Sequence, residues 1–358
     1  MARIGVNALY LIPGGVGGTE IYLRRLLAAL ASIDHDNEYF IFTNLETDAA
    51  LVPGRNNFHC VRQAVRARFR PGRILWEQIM LPVSAARCRL DVLLNPGFTS
   101  PILAPCANVT VFHDLQHKRH PEHFRWFDLP FWRLLLWASV RRARRLIAVS
   151  ESTRDDLVRV YHVPSDRISV VHHGVEPDFF SLDRGQTEPL VLCVSTLHPH
   201  KNLDRLIRAY ARGKREWRLT ITGMRGFFAD ALDALIAELG LKDSVTLTGW
   251  IPKEELLGLY ARAHAFVYPS TFEGFGMPVL EAMAAGIPVA CSDIPPLREV
   301  AGEAALFFDP RNEDAIAMAL DRIVIDEPLR ARLGHAGPER ARHFSWEKAA
   351  RETLLALR

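Results

Sequence analysis

The chain reads as an α/β protein in which two doubly wound parallel sheets follow one another, and three observations point there. Its 358 residues exceed what one hydrophobic core of ordinary size supports. Strand-like and helix-like runs alternate through most of the sequence, as in βαβ units. Near the middle, the polar stretch from Ser181 to Pro189 interrupts the alternation, and a fresh set begins at once.

In the first half, Ile4 to Ala8 reads as a strand. Thr19 to Ser32 reads as a helix, with Ile21, Leu23, Leu26, Leu27 and Leu30 at near-helical spacing. Strands follow at Tyr39 to Thr43, Val92 to Asn95, Val109 to Phe112, Arg145 to Val149 and Ile168 to Val171, and Ser150-Glu-Ser-Thr supplies capping residues for a helix. The second half gives strands at Leu190 to Val194, Leu219 to Thr222, Val245 to Leu247, Ala265 to Tyr268 and Pro288 to Ala290. Its helices are Leu203 to Arg212, Ala229 to Leu239, Lys253 to Ala263 and Pro278 to Ala285, and Phe344-Ser-Trp opens a last one. The expected boundary lies between residues 180 and 181.

Composition removes several classes. With 49% hydrophobic and 24% charged residues, the chain is globular and neither disordered nor of low complexity. The longest apolar runs, Phe131 to Val140 and Met283 to Cys291, are shorter than a spanning helix needs. The opening Met-Ala-Arg-Ile-Gly-Val enters a strand directly, without the pattern of a signal peptide. Five scattered cysteines, none in a Cys-x-x-Cys pair, indicate neither a disulfide framework nor a zinc site and fit a reducing cytoplasm. A net charge of +3 is too small to imply nucleic acid, but its distribution is uneven: residues 1–180 hold 22 Lys and Arg against 17 Asp and Glu. Arg62, Arg66, Arg68, Arg70 and Arg73 form one cluster. Arg141, Arg142, Arg144 and Arg145 form another, which closes the aromatic segment from His123 to Trp137. Such a segment either buries its Trp/Leu face in the core or lies on an anionic membrane surface.

In open sheets of this kind, ligands bind beyond the carboxyl ends of the strands, so the residues there carry the candidate chemistry. Gly14, Gly15, Gly17 and Gly18 between the first strand and its helix let amides approach an anion such as phosphate, and a helix tip adds partial positive charge. The loop is neither a P-loop nor a dinucleotide fingerprint. Lys201, after the first strand of the second half, is placed as a point charge for a diphosphate. Glu273 in a glycine-rich loop and Glu281 in the first turn of the following helix suit hydroxyl recognition, with Pro278 at a favoured first helical position. His113 ends a strand in Phe112-His113-Asp114. His113 and His117 have ligand-like spacing, but no His-Glu-x-x-His motif supports a metal. Asp34-His-Asp36 resembles a divalent-ion motif yet lies in a polar turn at the wrong edge of the sheet. No nucleophile elbow is present.

The stretch Glu273-Gly-Phe-Gly-Met-Pro-Val-Leu-Glu281 resembles the Glu-x7-Glu signature of glycosyltransferase family 4, retaining enzymes of the GT-B fold. Gly14 to Glu20, Phe112-His-Asp114, Val149-Ser-Glu-Ser-Thr, Val170-Val-His-His-Gly174-Val, Lys201-Asn202, Leu247-Thr-Gly-Trp-Ile and Phe344-Ser-Trp346 match the same family in order, so the likeness covers nearly the whole chain. It implies two Rossmann-like domains facing across a cleft. Residues 1–180 would be the acceptor side, 181–343 would bind the donor, and a final helix of about 344–358 would cross back onto the first domain.

By the same resemblance, Glu281 would hold the donor's ribose and Glu273 the hydroxyls of the transferred sugar. The backbone of Gly274, Phe275, Gly276, Met277, Pro278 and Val279 would hold sugar and phosphates. Lys201 would neutralise the leaving diphosphate, His113 would sit beside the reacting face, and Gly15, Gly17 and Gly18 would line the acceptor side. Neither a metal nor a further cofactor is expected. The donor would be a nucleotide diphosphate sugar, GDP-mannose before a UDP-sugar, and the acceptor a saccharide or lipid-linked hydroxyl in polysaccharide or glycolipid assembly. A nucleotide-sugar epimerase of the same architecture is the alternative. The enzyme would be cytoplasmic, with contact to an anionic membrane through its basic first half. One departure stands out: many relatives carry an Arg shortly before the Lys, where this chain has Ser195 and Thr196 with His200 beside the Lys. Arg225 is the candidate replacement cation.

Overall fold

The protein is described here from a computed structural model, which covers every residue except 16, 124–128, 214, 215 and 227. Part of the glycine loop and the middle of the aromatic segment from His123 to Trp137 therefore lie outside the described residues. The chain divides into two compact units, Met1–Gly174 with Trp346–Arg358, and Val175–Ser345.

The first unit holds seven parallel strands: β1 (Arg3–Asn7), β2 (Glu38–Thr43), β3 (Phe58–Arg62), β4 (Val92–Asn95), β5 (Ala107–Phe112), β6 (Arg145–Ala148) and β7 (Ile168–Val170). Their spatial order is β3-β2-β1-β4-β5-β6-β7. The central strands are largely apolar because helices cover both faces, and all four residues of β4 are buried. The first crossover passes through helix Gly18–Ile33, which turns Tyr22, Leu23, Leu26, Leu27 and Leu30 inward. Against it packs helix Trp346–Leu357, where Trp346 meets the ring of Tyr22 at 6.1 Å and stacks on His173 at 5.9 Å. Ser150 caps helix Glu151–Tyr161 by accepting the Thr153 amide at 3.0 Å.

The second unit holds six parallel strands: β8 (Leu190–Val194), β9 (Arg218–Thr222), β10 (Val245–Gly249), β11 (Ala265–Tyr268), β12 (Val289–Ser292) and β13 (Ala305–Phe308), in the order β10-β9-β8-β11-β12-β13. In each sheet the connections leave one central pair in opposite directions, β1 and β4 in the first and β8 and β11 in the second. These are the switch points where doubly wound sheets bind ligands.

Two expectations need correction. The chain passes between units at residue 174, not 180. Short helix Pro177–Phe180 belongs to the second unit, where Phe179 meets Tyr260 edge-on at 5.1 Å and Lys253 lies 2.5 Å from both Glu176 and Asp178. In the polar turn around Asp34, Ser32, His35 and Asp36 are exposed, while Asp34 itself is buried and accepts from Tyr39 at 2.5 Å and Asn37 at 2.8 Å. Helix Leu129–Arg142 buries Leu135, Leu136 and Val140 but leaves Phe131, Leu134 and Trp137 in solvent, so its Trp/Leu residues divide between two faces. Among the described residues, no helix is long and apolar enough to cross a membrane.

Candidate active site

At the switch point of the second unit, β8 runs into the turn Pro199–Lys201 and then Asn202, whose φ of 60° is left-handed, a conformation Asn tolerates better than most residues. Asn202 is buried and donates to the carbonyls of Pro269 at 3.1 Å and Pro310 at 2.7 Å. The loop after β11 grips the same turn, as Thr271 N–H and Oγ and Ser270 Oγ all donate to the His200 carbonyl, at 2.8, 3.0 and 3.2 Å. Two strand ends far apart in sequence are thereby locked together.

The lock brings Lys201 against Glu273, with Nζ 2.6 Å from Oε1. Tyr268, at the end of β11, donates to the same oxygen at 2.8 Å and lies 3.3 Å from Nζ. Burial and the adjacent carboxylate push the Tyr268 hydroxyl well above its ordinary pKa, so it remains a donor. Both contacts use Oε1. Oε2 meets no protein partner among the described residues and is available to a ligand hydroxyl.

Glu281 lies in the second turn of helix Met277–Ala284, one turn deeper than expected. It accepts from Tyr260 Oη at 2.8 Å through Oε2. Burial pushes its carboxyl up to about 7; the Tyr260 hydrogen bond opposes this, Glu176 adds to it and Lys253 opposes it. The helix begins at Gly276, whose φ is +115° and where a Cβ would stand 2.4 Å from Leu297 Cδ2, so a side chain is excluded by both conformation and space. The Gly276 carbonyl accepts the Val279 and Leu280 amides, Pro278 has no N–H, and Met277 N–H has no intrahelical acceptor. Phe275 and Val279 bury their side chains, Phe275 edge-on to Phe344 at 5.9 Å, so they offer only backbone. Gly274 lies one residue past Glu273 in the same loop. Arg225 follows β9 but pairs with Asp233 and lies 3.8 Å from Asp230, both on the next helix. Among the described residues, its ion pairs are with these aspartates.

The first unit's switch point is built differently. Asn7, ending β1, donates at 3.2 Å to both Glu77 and Asn95, the latter ending β4, and Asn95 donates to Asn108 at 3.1 Å. Thr99 and Gln78 also donate to Glu77, at 3.0 and 3.2 Å. Burial raises the Glu77 carboxyl above its usual range, against the lowering effect of Arg73 and these donors. Arg73 is itself buried, and its Nε meets no acceptor among the described residues.

In the glycine loop, Gly17 has φ +61°, and Cβ atoms at Gly14, Gly17 or Gly18 would meet nothing within 4 Å, whereas one at Gly15 would press on Ile12 at 3.1 Å. A phosphate expected here meets a competitor: the Glu20 carboxylate accepts the Gly14 amide at 2.9 Å and pairs with Arg24 at 2.9 Å. His113 is buried beside β5, its Nε2 bonded to the Pro96 carbonyl at 2.9 Å, with the rings of Tyr22 and Phe98 at 4.8 and 5.3 Å. Because Pro96 only accepts, Nε2 carries the proton, and burial lowers the pKa to about 4, so the ring is neutral near pH 7. His117 instead bonds Tyr161 at 2.7 Å, so the two histidines do not converge. Among the described residues, no three His, Cys, Asp or Glu gather as a metal site. Tyr260, Tyr268 and Glu77 carry no motif and are found only by their neighbours in space.

Two families match the chain in tandem: Glycosyltransferase Family 4 over residues 16–179 and Glycosyl transferases group 1 over 175–340. The chain is 33% identical over 264 residues to the O-antigen chain mannosyltransferase B of Escherichia coli, covering 69% of each. It is 35% identical over 211 residues to the O-antigen chain mannosyltransferase RfbU of Salmonella typhimurium, covering 59% of each. Among solved structures, the sucrose-phosphate synthase of Thermosynechococcus elongatus superposes with a TM-score of 0.81 at 21% identity, covering 99% of this chain and 98% of that one. Anabaena HepE, solved with UDP-glucose, gives 0.77 at 19% identity over the whole of both chains. The two parallel-sheet units have the GT-B fold, and the chain belongs to glycosyltransferase family 4.

Proposed function

We propose that the protein transfers a hexose, with mannose from GDP-mannose as the preferred donor, to a saccharide or lipid-linked hydroxyl with retention at the anomeric carbon. The observation that carries this reading is the Lys201–Glu273–Tyr268 group at the β8/β11 switch point. It offers one ammonium for a diphosphate and one unoccupied carboxylate oxygen for sugar hydroxyls. Glu281 presents its Oε1 to a ribose diol in the same way while Tyr260 holds Oε2. The mannosyltransferase relatives support the choice of sugar.

In this mechanism Lys201 and the Met277 amide at the helix tip stabilise the charge that develops on the departing diphosphate. Glu273 is fixed by Lys201 and Tyr268 and positions the sugar rather than attacking it. The acceptor hydroxyl then approaches on the face the leaving group vacates, giving its proton to the departing phosphate. Neutral His113, with Nδ1 as its acceptor atom, serves the reacting face. Arg225 would supplement Lys201 only by exchanging its aspartate partners for the donor.

Incubation with a panel of GDP- and UDP-sugars, measuring the nucleoside diphosphate released and the anomeric configuration of the product, tests the reading. GDP release from GDP-mannose with an α-linked product is expected, at a rate chelator leaves unchanged. Exclusive turnover of a UDP-sugar, or inversion, overturns the respective part, and a free altered sugar formed without acceptor points to an epimerase instead.

A further inference from the structure

The first unit's switch point holds a cation without an anion. Arg73 stands one turn before Glu77 on helix Arg70–Arg87 and is only 8% exposed. Among the described residues, its guanidinium makes no hydrogen bond and no ion pair. A guanidinium stays protonated and carries five N–H donors, and a charge taken out of water without a partner is costly. Burial works against the Arg73 charge more than nearby Glu77 restores it, and the Glu77 oxygens are taken up by Asn7, Thr99 and Gln78. Nε is sealed from solvent while the Nη groups are not, so a ligand can reach the fork.

The surroundings of Arg73 are firmly held. Tyr10, after β1, is an electrostatic neighbour of Arg73, and its ring lies so close to Gly97 that a Cβ there would stand 2.6 Å from Tyr10 Cδ1. The next residue, Phe98, has a φ of 70°, a left-handed conformation that a bulky side chain adopts only where its surroundings impose it. Three bonds do so: the Pro96 carbonyl accepts from His113 at 2.9 Å, the Gly97 carbonyl accepts the Thr99 amide at 2.9 Å, and Thr99 Oγ1 donates to Glu77 at 3.0 Å. The half-buried Phe98 ring is thereby fixed edge-on to His113 at 5.3 Å. Beside a neutral histidine, such a ring offers an apolar wall to one face of a pyranose. Thr99 ties this wall to Glu77, and Arg73 lies one helical turn away on the same helix.

We propose that the acceptor is an anionic saccharide, its ring against Phe98 and its carboxylate or phosphate bound by the Arg73 fork. Both oxyanions match the planar guanidinium. The reacting hydroxyl is a different group of the same acceptor and is oriented by hydrogen bonds at the strand ends. This inference rests on the transfer reading above, whose acceptor it specifies.

The test is kinetics of the full chain at saturating donor with three acceptors that share one ring: a neutral methyl hexoside, the matching methyl hexuronoside and the matching hexose phosphate. At least one anionic acceptor is expected to show a KM about tenfold or more below the neutral one. Which of the two does so distinguishes an acidic sugar from a sugar phosphate. Arg73→Gln is expected to raise that KM about tenfold and to leave the KM of the neutral acceptor and of the donor unchanged. Arg73→Lys keeps the charge, loses the planar fork and is expected to fall between the two. Equal wild-type KM values for neutral and anionic acceptors overturn the proposal, as does a folded Arg73→Gln enzyme that discriminates like the wild type. Should Arg73→Gln melt early, the wild-type comparison and Arg73→Lys decide. If no acceptor is turned over, the transfer reading fails by itself, and calorimetry with inorganic phosphate still reads the site. Phosphate binding lost in Arg73→Gln supports the anion site; binding that is absent from the wild type or kept by the variant overturns it.

Discussion

The two switch points share one topology and have opposite electrostatics. At β8/β11 the half-buried charges are matched, with Lys201 held against Glu273 at 2.6 Å and each supported by Tyr268. At β1/β4 the groups are amides, a hydroxyl and a carboxyl whose pKa burial has raised, beside a neutral histidine and an arginine whose Nε has no acceptor among the described residues. A site that must accept a leaving group's charge keeps a preorganised cation. A site that orients neutral hydroxyls works by hydrogen bonds whose geometry, not charge, discriminates. The doubly wound sheet supplies the location in both cases, and the side chains at the strand ends decide the chemistry.

The sharpest way to break this comparison is Lys201→Ala. Removing the cation is expected to lower kcat by about 10² to 10³, whereas Asn7→Ala in the other unit should act mainly through stability. Single-turnover release of the nucleoside diphosphate, with melting curves as control, checks both, and a Lys201→Ala enzyme of nearly normal kcat would show that charge does not separate the two sites.

The units should also respond oppositely to pH. In the first unit, burial lowers His113 and His117 to about 4 and holds His173 well below its ordinary value. The unfolded chain takes up these protons near pH 6.5 while the folded unit resists, so stability is lost as pH falls from about 6.5 towards 4, a trend that Glu77, raised by burial in the same unit, opposes. In the second unit, Glu281 is raised to about 7, so the unfolded chain gives up its proton first and stability is lost as pH rises from about 4.5 to 7. His264 is also lowered there and opposes this trend weakly. Calorimetry at pH 7 and 5 is expected to show the first unit's transition falling by on the order of 10 °C and the second's rising by about 5 °C. Parallel shifts of both transitions would remove the contrast.

Glu281 sharpens the point at the level of binding. A ribose diol donates to a carboxylate, so the donor KM should rise as pH falls through about 7, the value to which burial moves this group. Glu281→Gln should raise KM about tenfold at pH 8 and flatten its pH dependence; a variant retaining the wild-type slope would assign the titration elsewhere. The smallest effect is expected from Arg225→Ala. Its partners are exposed aspartates, and exposed pairs contribute little, so exchange for a diphosphate is feasible. A rise in donor KM of about threefold is expected, and an unchanged KM removes Arg225 from the site.

Much of this was legible in the chain because parallel strands buried on both faces read as short apolar runs. Val92–Asn95, Leu190–Val194 and Ala265–Tyr268 have in the structure the limits their composition suggests. Two of the elements that escaped reading lack that signal. β3, Phe-His-Cys-Val-Arg, is a half-exposed edge strand, and helix Arg70–Arg87 holds Pro71, Gly72 and Pro82 and carries apolar residues on its solvent face as well as its core face. Periodicity detects one buried face, and a helix apolar on two sides blurs it.

The linear order of residues therefore determined the βαβ alternation, the capping at Ser150 and the positions of Lys201, Glu273 and Glu281 just beyond strands, since each depends on neighbours a few residues away. Only tertiary structure decided that Lys201 and Glu273, 72 residues apart, share an ion pair with Tyr268, that Tyr260 holds one oxygen of Glu281, and that Glu20 occupies its own glycine loop. The physical reason is that strand order within a sheet is not strand order along the chain. The crossover that brings β11 beside β8 juxtaposes their ends, and burial there, which no local pattern encodes, sets the charge each group carries.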